Sequence, residues 1–374
     1  RQGYKVLLLE ADSLGCEQTG ASQGIIHGGT KYALTGKLTH SSQTIQQMPA
    51  RWKACLQGEG ELDLRQVKIL SSHQYLWSTQ SVVSRLSGFF ASKVMHSRML
   101  KLDKTQSIAP FNHNGFSGEI YQLDEPVLDS LSVLESIREQ FAAQILHFPV
   151  TEITAQADGL HLLKNPQRQS ISAEVLILTA GAGNEQLLQQ LDIEGPAMQR
   201  RPLHMPMLKS SQSHLPMIYA HCLGASALPR MTITSYPLDS YQPEKEIVWY
   251  LGGDIAEKGV SRSRSQQIEA AKRELQLLIP WLDFSPARWS TLRIDRAEPN
   301  MTDGSRPAEP LVSLSGKVIT AWPVKLAMTP LMTDAILNKV KALGIQANLK
   351  PVSVQIPQAQ TSQFPWEKVQ HWYE

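Results

Sequence analysis

The sequence has few cysteines, and they do not form a recognisable site. Cys16, Cys55 and Cys222 are scattered along 374 residues without a Cys-x-x-Cys pair. Their odd number and wide spacing argue against a disulfide framework and against a zinc site. We therefore expect a reducing, cytoplasmic compartment and no bound metal.

Long apolar runs and an excess of one charge are also missing. No stretch approaches the roughly 18 consecutive apolar residues that span a bilayer. The formal net charge is only +2, and basic residues cluster no further than the short groups at 200–201 and 262–264. A nucleic-acid partner is therefore not expected. With 42% hydrophobic and 19% charged residues, the 374-residue chain has the composition of a globular protein of two domains.

The most informative pattern is an apolar run that ends in an acid. Residues 4–10 read Tyr-Lys-Val-Leu-Leu-Leu-Glu and are followed by small residues at positions 20–22 and 24. A carboxylate in this place, here Glu10, can accept hydrogen bonds from both ribose hydroxyls of an adenosine. Small residues then allow the backbone to approach a flat ligand closely. The pattern predicts a bound adenine dinucleotide.

Residues 19–34 read Thr-Gly-Ala-Ser-Gln-Gly-Ile-Ile-His-Gly-Gly-Thr-Lys-Tyr-Ala-Leu. They resemble the region of flavin-dependent oxidoreductases of the D-amino-acid oxidase superfamily in which a Ser-rich loop passes the pyrophosphate and ends beside the isoalloxazine. The stretch 26–32 resembles most closely the flavin-linked glycerol-3-phosphate dehydrogenases, and more loosely the L-2-hydroxyglutarate oxidases. The resemblance covers nearly the whole chain and implies FAD as the cofactor.

The Gly-x-Gly-x-x-Gly turn that this family carries before such a strand is not found. The first three residues, Arg-Gln-Gly, are typical of the end of a helix. Either the sequence lacks the first strand, the Gly-rich turn and most of a helix, or the family interpretation is wrong. We expect an N-terminally truncated fragment.

Two later segments resemble the family's cofactor contacts. Residues 174–183 predict a buried strand that runs into Gly181-Ala182-Gly183, which in the superfamily packs under the flavin pyrophosphate. A separate nicotinamide site is the alternative, but position 186 is not glycine and no strand ending in an acid follows. Residues 317–330 predict a strand and then a helix whose N-terminus would face the flavin C2 carbonyl. There, residues 325–327 resemble a Gly-Gly-Lys-Leu-Thr element in which Pro and Val replace the glycines.

The resemblance thus implies a set of residues that hold FAD. They are Glu10, Ser22, Gln23, Gly24, Val150, Ala180, Gly181, Lys325, Leu326 and Ala327.

Oxidation of an alcohol by flavin also needs a proton acceptor and fixed positive charge for an anionic substrate. We predict His27 as the base, because an unperturbed imidazole titrates near about pH 6.5. A histidine that bonds only cofactor or backbone is the alternative. Lys31 and Tyr32 fall where the glycerol-3-phosphate dehydrogenases carry Arg and Tyr. Arg296 resembles their active-site Arg ahead of the turn 303–307, with an interdomain ion pair as its alternative role.

Local patterns predict the elements between these segments. Asp129 or Ser130 begins a helix, although Ser132 with Glu135 also has capping-box spacing. Asp158-Gly159 predicts a hairpin. Apolar residues recurring from 268 to 282 predict a helix that covers an antiparallel sheet.

These elements predict an α/β fold with a truncated, Rossmann-like FAD-binding domain and a second, α+β substrate domain built on an antiparallel sheet. The FAD-binding domain comprises residues 1–75, 120–200 and 297–345, and the substrate domain 76–119 and 201–296. Residues 346–374 form a tail whose four aromatic residues either pack on the body or dock to a membrane or partner.

The predicted function is oxidation of the secondary alcohol of a small anion, glycerol-3-phosphate-like or a 2-hydroxy acid, by hydride transfer to flavin N5. A dehydrogenase is favoured, with a quinone or oxygen as the electron acceptor and peripheral membrane contact. One alternative is an amino-acid or hydroxy-acid oxidase that uses oxygen. The other is a flavin-binding protein without turnover.

Overall fold

The computed structural model describes residues 2–29, 45–79, 99–224, 228–238, 245–305, 307–347 and 354–374. The strands in these residues are β1 Leu8–Glu10, β2 Ile69–Ser71, β3 Gln74–Ser78, β4 Met99–Leu102, β5 Glu119–Leu123, β6 Val127–Leu128, β7 Ile145–His147, β8 Glu152–Ala155, β9 His161–Lys164, β10 Ser170–Ala173, β11 Leu176–Leu178, β12 Met198–Ser211, β13 Tyr219–Leu223, β14 Met231–Pro237, β15 Glu246–Gly252, β16 Arg288–Pro299, β17 Leu311–Ser315 and β18 Val318–Trp322. The α-helices are α1 Met48–Gln57, α2 Ser130–Gln140, α3 Asn184–Gln190, α4 Asp254–Glu257, α5 Arg264–Leu278, α6 Thr329–Ala342 and α7 Pro365–Lys368.

Parallel strands form the part of the fold that carries the predicted cofactor segments. β1 pairs in parallel with β7, and β11 pairs in parallel with β18, whose other edge takes β17 in antiparallel fashion. Side chains from both sheets pack in one apolar cluster that includes Leu9, Phe148, Leu178 and Trp322. The predicted α/β class is confirmed at this level, because short parallel strands with helices between them along the chain are typical of it.

The largest sheet has eight strands in the order β16-β12-β15-β14-β13-β3-β5-β4. Its neighbours are antiparallel except β13 and β3, which are parallel. Helix α5 covers one face and buries Ile268, Ala271, Leu275 and Leu278 against it. The helix predicted from the apolar spacing is therefore confirmed, but it ends at Leu278, before Leu282. Its N-cap, Ser263, forms a capping box with Gln266 in the first turn.

The predicted domain borders cut through this sheet. β3 spans the border at 75/76 and β5 spans the border at 119/120, yet both strands belong to the large sheet. The division into two domains with these ranges stays a prediction.

Two local predictions can be compared directly with the backbone. Helix α2 begins at Ser130, and the Asp129 carboxylate accepts a 2.9 Å hydrogen bond from the Ser132 amide. The later start at Ser132 is wrong, because the Ser132 hydroxyl donates to the Asp129 carbonyl instead. β8 and β9 pair in antiparallel fashion around Gly159, whose φ of 78° suits the predicted turn.

The described part of the C-terminal segment packs on the body, which is one of the two alternatives predicted for it. Thr361 forms a β-bridge with Leu14, and close to the C-terminus Tyr373 exchanges two backbone hydrogen bonds with Trp289. Between them, Trp366 is buried against Tyr236 and Tyr250 of the large sheet. The segment therefore links the residues beside β1 and β7 to the large sheet. Within the described residues, no helix combines the length and the apolarity needed to cross a bilayer.

Candidate functional site

The small-residue loop after β1 runs alongside β6. The Leu128 amide donates to the Gly24 carbonyl at 2.9 Å, and the Ile26 amide donates to the Pro126 carbonyl at 2.9 Å. Gly24 has a φ of 67°, and an added Cβ would lie 1.8 Å from the Leu128 carbonyl oxygen. Only glycine fits this close approach, so the loop path depends on it.

Hydrogen bonds from the large sheet fix the same loop from the other side. The Gln23 amide donates to the Tyr250 carbonyl at 3.0 Å and to the Thr234 hydroxyl at 3.3 Å. The Tyr250 hydroxyl donates to the Ala21 carbonyl at 3.1 Å, and the Tyr236 hydroxyl to the Ser22 carbonyl at 3.4 Å. Burial raises the pKa of both tyrosines, so they remain neutral donors.

His27 lies at the end of this loop against a buried carboxylate. Its Nδ1 is 3.9 Å from Glu125 Oε2, and the two side chains are only 14% and 8% exposed. Glu125 Oε1 accepts a 2.7 Å hydrogen bond from the Gly28 amide, and Oε2 accepts one from Gln74 Nε2. The same Gln74 nitrogen is 3.4 Å from His27 Nδ1. The predicted base therefore faces a group that stabilises its protonated form.

A second imidazole stacks on His27. The rings of His27 and His221 are 5.3 Å apart between centroids and inclined by 25°. His221 belongs to β13, and its Nδ1 is 2.7 Å from the Thr232 hydroxyl of β14. The strands β3, β13 and β14 thus bring polar side chains of the large sheet to the loop that carries His27.

Sequence reasoning missed Gln74, Glu125, His221 and Thr232. Three of them lie in buried strands, where no spacing separates a site residue from an ordinary core residue. Glu125 carried a weak signal, since it is a buried acid directly before the apolar strand β6.

Buried polar atoms without a hydrogen-bond partner mark the space beside the loop. Among the described residues, these atoms include Ser22 Oγ, Gln74 Oε1 and the Tyr219 hydroxyl. Tyr219 packs with Ile25 of the loop, and burial raises the pKa of its hydroxyl, so it is a neutral donor. An unpaired buried polar atom is unfavourable by about 1–3 kcal/mol. These hydroxyl and amide groups include donors and acceptors, as binding of the edge of a flavin ring requires.

The segment 325–327 lies beside the loop. Ala327 and Ile26 belong to one apolar cluster, and Trp52 Nε1 donates to the Ala327 carbonyl at 3.1 Å. Lys325 is extended and precedes a 3₁₀ turn, Leu326–Met328, which continues into α6. The helix predicted near Leu326 is confirmed with this 3₁₀ start. The amides at a helix N-terminus favour negative charge, so this end could stabilise an anionic group of a ligand held by the loop.

The turn after β11 is tied to the end of β18. The Ala180 amide donates to Asn184 Oδ1 at 2.7 Å, and Trp322 Nε1 donates to the Gly181 carbonyl at 2.9 Å. Gly181 has a φ of 57°, and an added Cβ would meet no atom of the described residues within 4 Å. Open space above a glycine turn fits the close approach of a pyrophosphate.

The remaining predicted cofactor residues lie at the ends of β1 and β7. Glu10 ends β1, and its Oε1 accepts a 3.1 Å hydrogen bond from the Asp12 amide. Val150 follows β7 and packs partly buried in the cluster that contains Leu9. Both positions lie at the carboxyl ends of parallel strands, where α/β sheets bind nucleotides.

Of the predicted anion-binding residues, the structure describes Arg296, which lies at the far edge of the large sheet from the strand that carries His221. Lys31 and Tyr32 lie outside the described residues. Arg296 lies on β16 and donates to Glu257 at 3.2 Å and to the Arg201 carbonyl at 3.2 Å. β16 is an edge of the large sheet, four strands away from β13, or about 19 Å at about 4.8 Å per strand.

Known proteins match this chain over most of its length. A sequence model of the family described as DAO, FAD dependent oxidoreductase, matches residues 1–311. The probable FAD-dependent oxidoreductase PA4991 of Pseudomonas aeruginosa is 43% identical over 369 residues, which cover 98% of this chain and 92% of that protein. In its crystal structure, with 38% identity, the match covers 98% of this chain and 91% of that chain at a TM-score of 0.83.

More distant solved structures share the fold alone. Glycine oxidase from Geobacillus kaustophilus matches with a TM-score of 0.62 at 13% identity, over 94% of this chain and 92% of that chain. L-alpha-glycerophosphate oxidase from Mycoplasma pneumoniae matches with a TM-score of 0.59 at 13% identity, over 94% and 92%.

Proposed function

This chain belongs to the family of FAD-dependent oxidoreductases and uses FAD as its cofactor, and we propose that it oxidises the secondary alcohol of a small anionic substrate. The proposed substrate is glycerol-3-phosphate-like or a 2-hydroxy acid. The observation that carries the proposal is His27, held against the buried Glu125 at the end of the loop predicted to pass the flavin.

The residues around His27 support transfer of the substrate's hydroxyl proton. A neutral imidazole can accept that proton, and the nearby Glu125 carboxylate stabilises the imidazolium that forms. The large sheet covers one side of the pair and limits access of water, because His221 and Gln74 are almost fully buried. When bound, FAD supplies the acceptor for the two electrons that leave the substrate as hydride.

On the resemblance described above, Lys31 and Arg296 hold the anionic end of the substrate, together with Tyr32. Because Arg296 lies on β16, four strands from β13, we assign the anion of a small substrate at His27 to Lys31 first and treat Arg296 as a residue to be tested. A lysine is a single point charge and cannot form the bidentate pair that arginine forms with phosphate or carboxylate. Arg296 also donates to Glu257, so a substrate anion would share this guanidinium with a protein carboxylate.

An amino acid is the second candidate substrate, and Glu125 is the observation that favours it. A buried carboxylate 3.9 Å from an imidazole can receive an ammonium group as well as stabilise an imidazolium. Glycine oxidase and L-alpha-glycerophosphate oxidase share the fold. Their names indicate an amino acid and a phosphorylated polyol, so both classes of compound should be tested as substrates.

The test is anaerobic bleaching of the flavin by a panel of 2-hydroxy acids, phosphorylated polyols and amino acids. Rapid bleaching by a hydroxy compound supports the proposal, whereas bleaching only by amino acids replaces it with the second candidate. A flavin that no compound reduces would identify a binding protein without turnover. Reoxidation by oxygen or by a quinone then separates an oxidase from the favoured dehydrogenase. With a quinone acceptor, we expect a cytoplasmic protein that contacts the membrane surface.

A further inference from the structure

We infer that Glu125 is a positioning residue that holds negative charge against His27 and thereby strengthens His27 as a proton acceptor. The inference rests on the proposed function, because it deepens the role given there to His27. Nothing in the sequence pattern singles out Glu125 as a partner of His27, 98 positions away.

The carboxylate is fixed at both oxygens. Oε1 accepts from the Gly28 amide at 2.7 Å, and Oε2 accepts from Gln74. Gly28 makes this contact possible, since an added Cβ there would lie 2.8 Å from Glu125 Oε1 and 3.1 Å from Pro49 Cγ. A buried carboxylate needs such partners to remain charged. These contacts therefore fix the position of the Glu125 carboxylate relative to the His27 ring.

The distance from this charge to the ring is short enough to matter. Oε2 of Glu125 is 3.9 Å from Nδ1 of His27, and both side chains are largely buried, so solvent screens the pair weakly. An opposite charge at about 4–6 Å changes the pKa of a neighbouring group by about 1 to 3 in the direction that favours its charged form. His221 of β13 also faces the ring by stacking, and its protonation would oppose the effect of Glu125. Lys31 and Tyr32, which follow in the chain, lie outside the described residues.

Glu125→Gln removes the charge with little change of shape. The new amide oxygen can still accept from the Gly28 amide. Gln74 can then turn its own amide, because its Oε1 has no partner among the described residues and could accept from the new NH₂ group. Folding should therefore survive. Gly28→Ala provides an independent perturbation, since it displaces the carboxylate without removing it.

The experiment follows the ring protons of His27 by NMR in the FAD-loaded protein with labelled histidine, with the signal identified by its loss in His27→Asn. We expect the midpoint of the His27 titration to fall by about 1 unit or more in Glu125→Gln and by a smaller amount in Gly28→Ala. Asp124→Asn is the matched control, because Asp124 is the adjacent, exposed carboxylate and pairs with Lys53 and His73. It should leave the midpoint in place.

An unchanged His27 midpoint in Glu125→Gln would overturn the inference, and so would an equal shift in Asp124→Asn. The measurement needs no substrate, which separates it from the proposed function. If the midpoint shifts but no compound bleaches the flavin, the proposed function fails and the electrostatic role of Glu125 stands. If a substrate is found and the midpoint does not shift, only the role of Glu125 fails.

Discussion

Replacement of Gly24 by alanine should damage the protein in two separable ways. Gly24 has a φ of 67°, a conformation that is unfavourable for alanine by about 1–2 kcal/mol. The new Cβ would also lie 1.8 Å from the Leu128 carbonyl oxygen, whereas real Cβ atoms essentially never approach closer than 3.0 Å. The loop and β6 must therefore separate by at least 3.0 − 1.8 = 1.2 Å. Strain of this kind typically adds about 1–3 kcal/mol.

Two other glycines separate these contributions. Gly304 has a φ of 65° and Gly181 a φ of 57°, and an added Cβ at either would meet no described atom within 4 Å. Each alanine variant at these positions should therefore lose only the backbone contribution of about 1–2 kcal/mol. Gly24→Ala should lose about 1–3 kcal/mol more. The free energies of unfolding of the apoproteins, from urea titration, measure the difference.

FAD binding distinguishes the same variants further. Gly24→Ala moves the loop predicted to pass the flavin, and a loss of about 1.4 kcal/mol in binding raises the Kd tenfold. Gly181→Ala should also raise the Kd, whereas Gly304→Ala should not. Equal unfolding free energies for Gly24→Ala and Gly304→Ala would refute the steric argument. Unchanged FAD affinity in Gly24→Ala would refute the placement of the flavin beside this loop.

Four other variants test separate parts of the account. Glu10→Ala should raise the Kd for FAD roughly 10-fold or more, because charge-assisted hydrogen bonds contribute about 1.5–3 kcal/mol, and an unchanged Kd would remove Glu10 from the cofactor site. Lys325→Met should make the flavin harder to reduce. Its two-electron midpoint potential should fall by about 30 mV for each 1.4 kcal/mol of stabilisation that the reduced flavin loses. An unchanged potential would contradict a lysine charge near flavin N1. If Arg296 binds the substrate anion, Arg296→Ala should lower kcat/KM roughly 30-fold or more. A less stable variant with unchanged kcat/KM would show that Arg296 serves only to pair with Glu257. Trp366→Ala should lower the free energy of unfolding by about 3–5 kcal/mol, and a loss below 1 kcal/mol would contradict its packing between Tyr236 and Phe364.

The segments with short-range patterns were predictable from the sequence. The acid-ended strand β1, the small-residue loop and the strand before Lys325 each carry their signal within about ten residues. The structure brings the loop and the segment 325–327 together through the cluster of Ile26 and Ala327. Local spacing could not reveal this contact, but the resemblance to a flavin-dependent family implied it.

The rest of the site depends on pairing between distant strands. His221 reaches His27 because β13 pairs in parallel with β3, strands about 145 positions apart in sequence. Similarly, the position of Arg296 ahead of the turn 303–307 does not tell which place its strand takes in an eight-stranded sheet. Strand order comes from the whole core rather than from any local pattern. This is why Glu125 and His221 were missed and why Arg296 lies away from His27.

The most direct test of the central claim compares anaerobic flavin reduction in the FAD-loaded protein and in its His27→Asn variant. The account predicts that a small hydroxy anion reduces the flavin of the parent protein, and that the variant reacts about 100-fold or more slowly while binding an inert anion equally well. Reduction at the parental rate in His27→Asn would contradict the role of His27 as the proton acceptor.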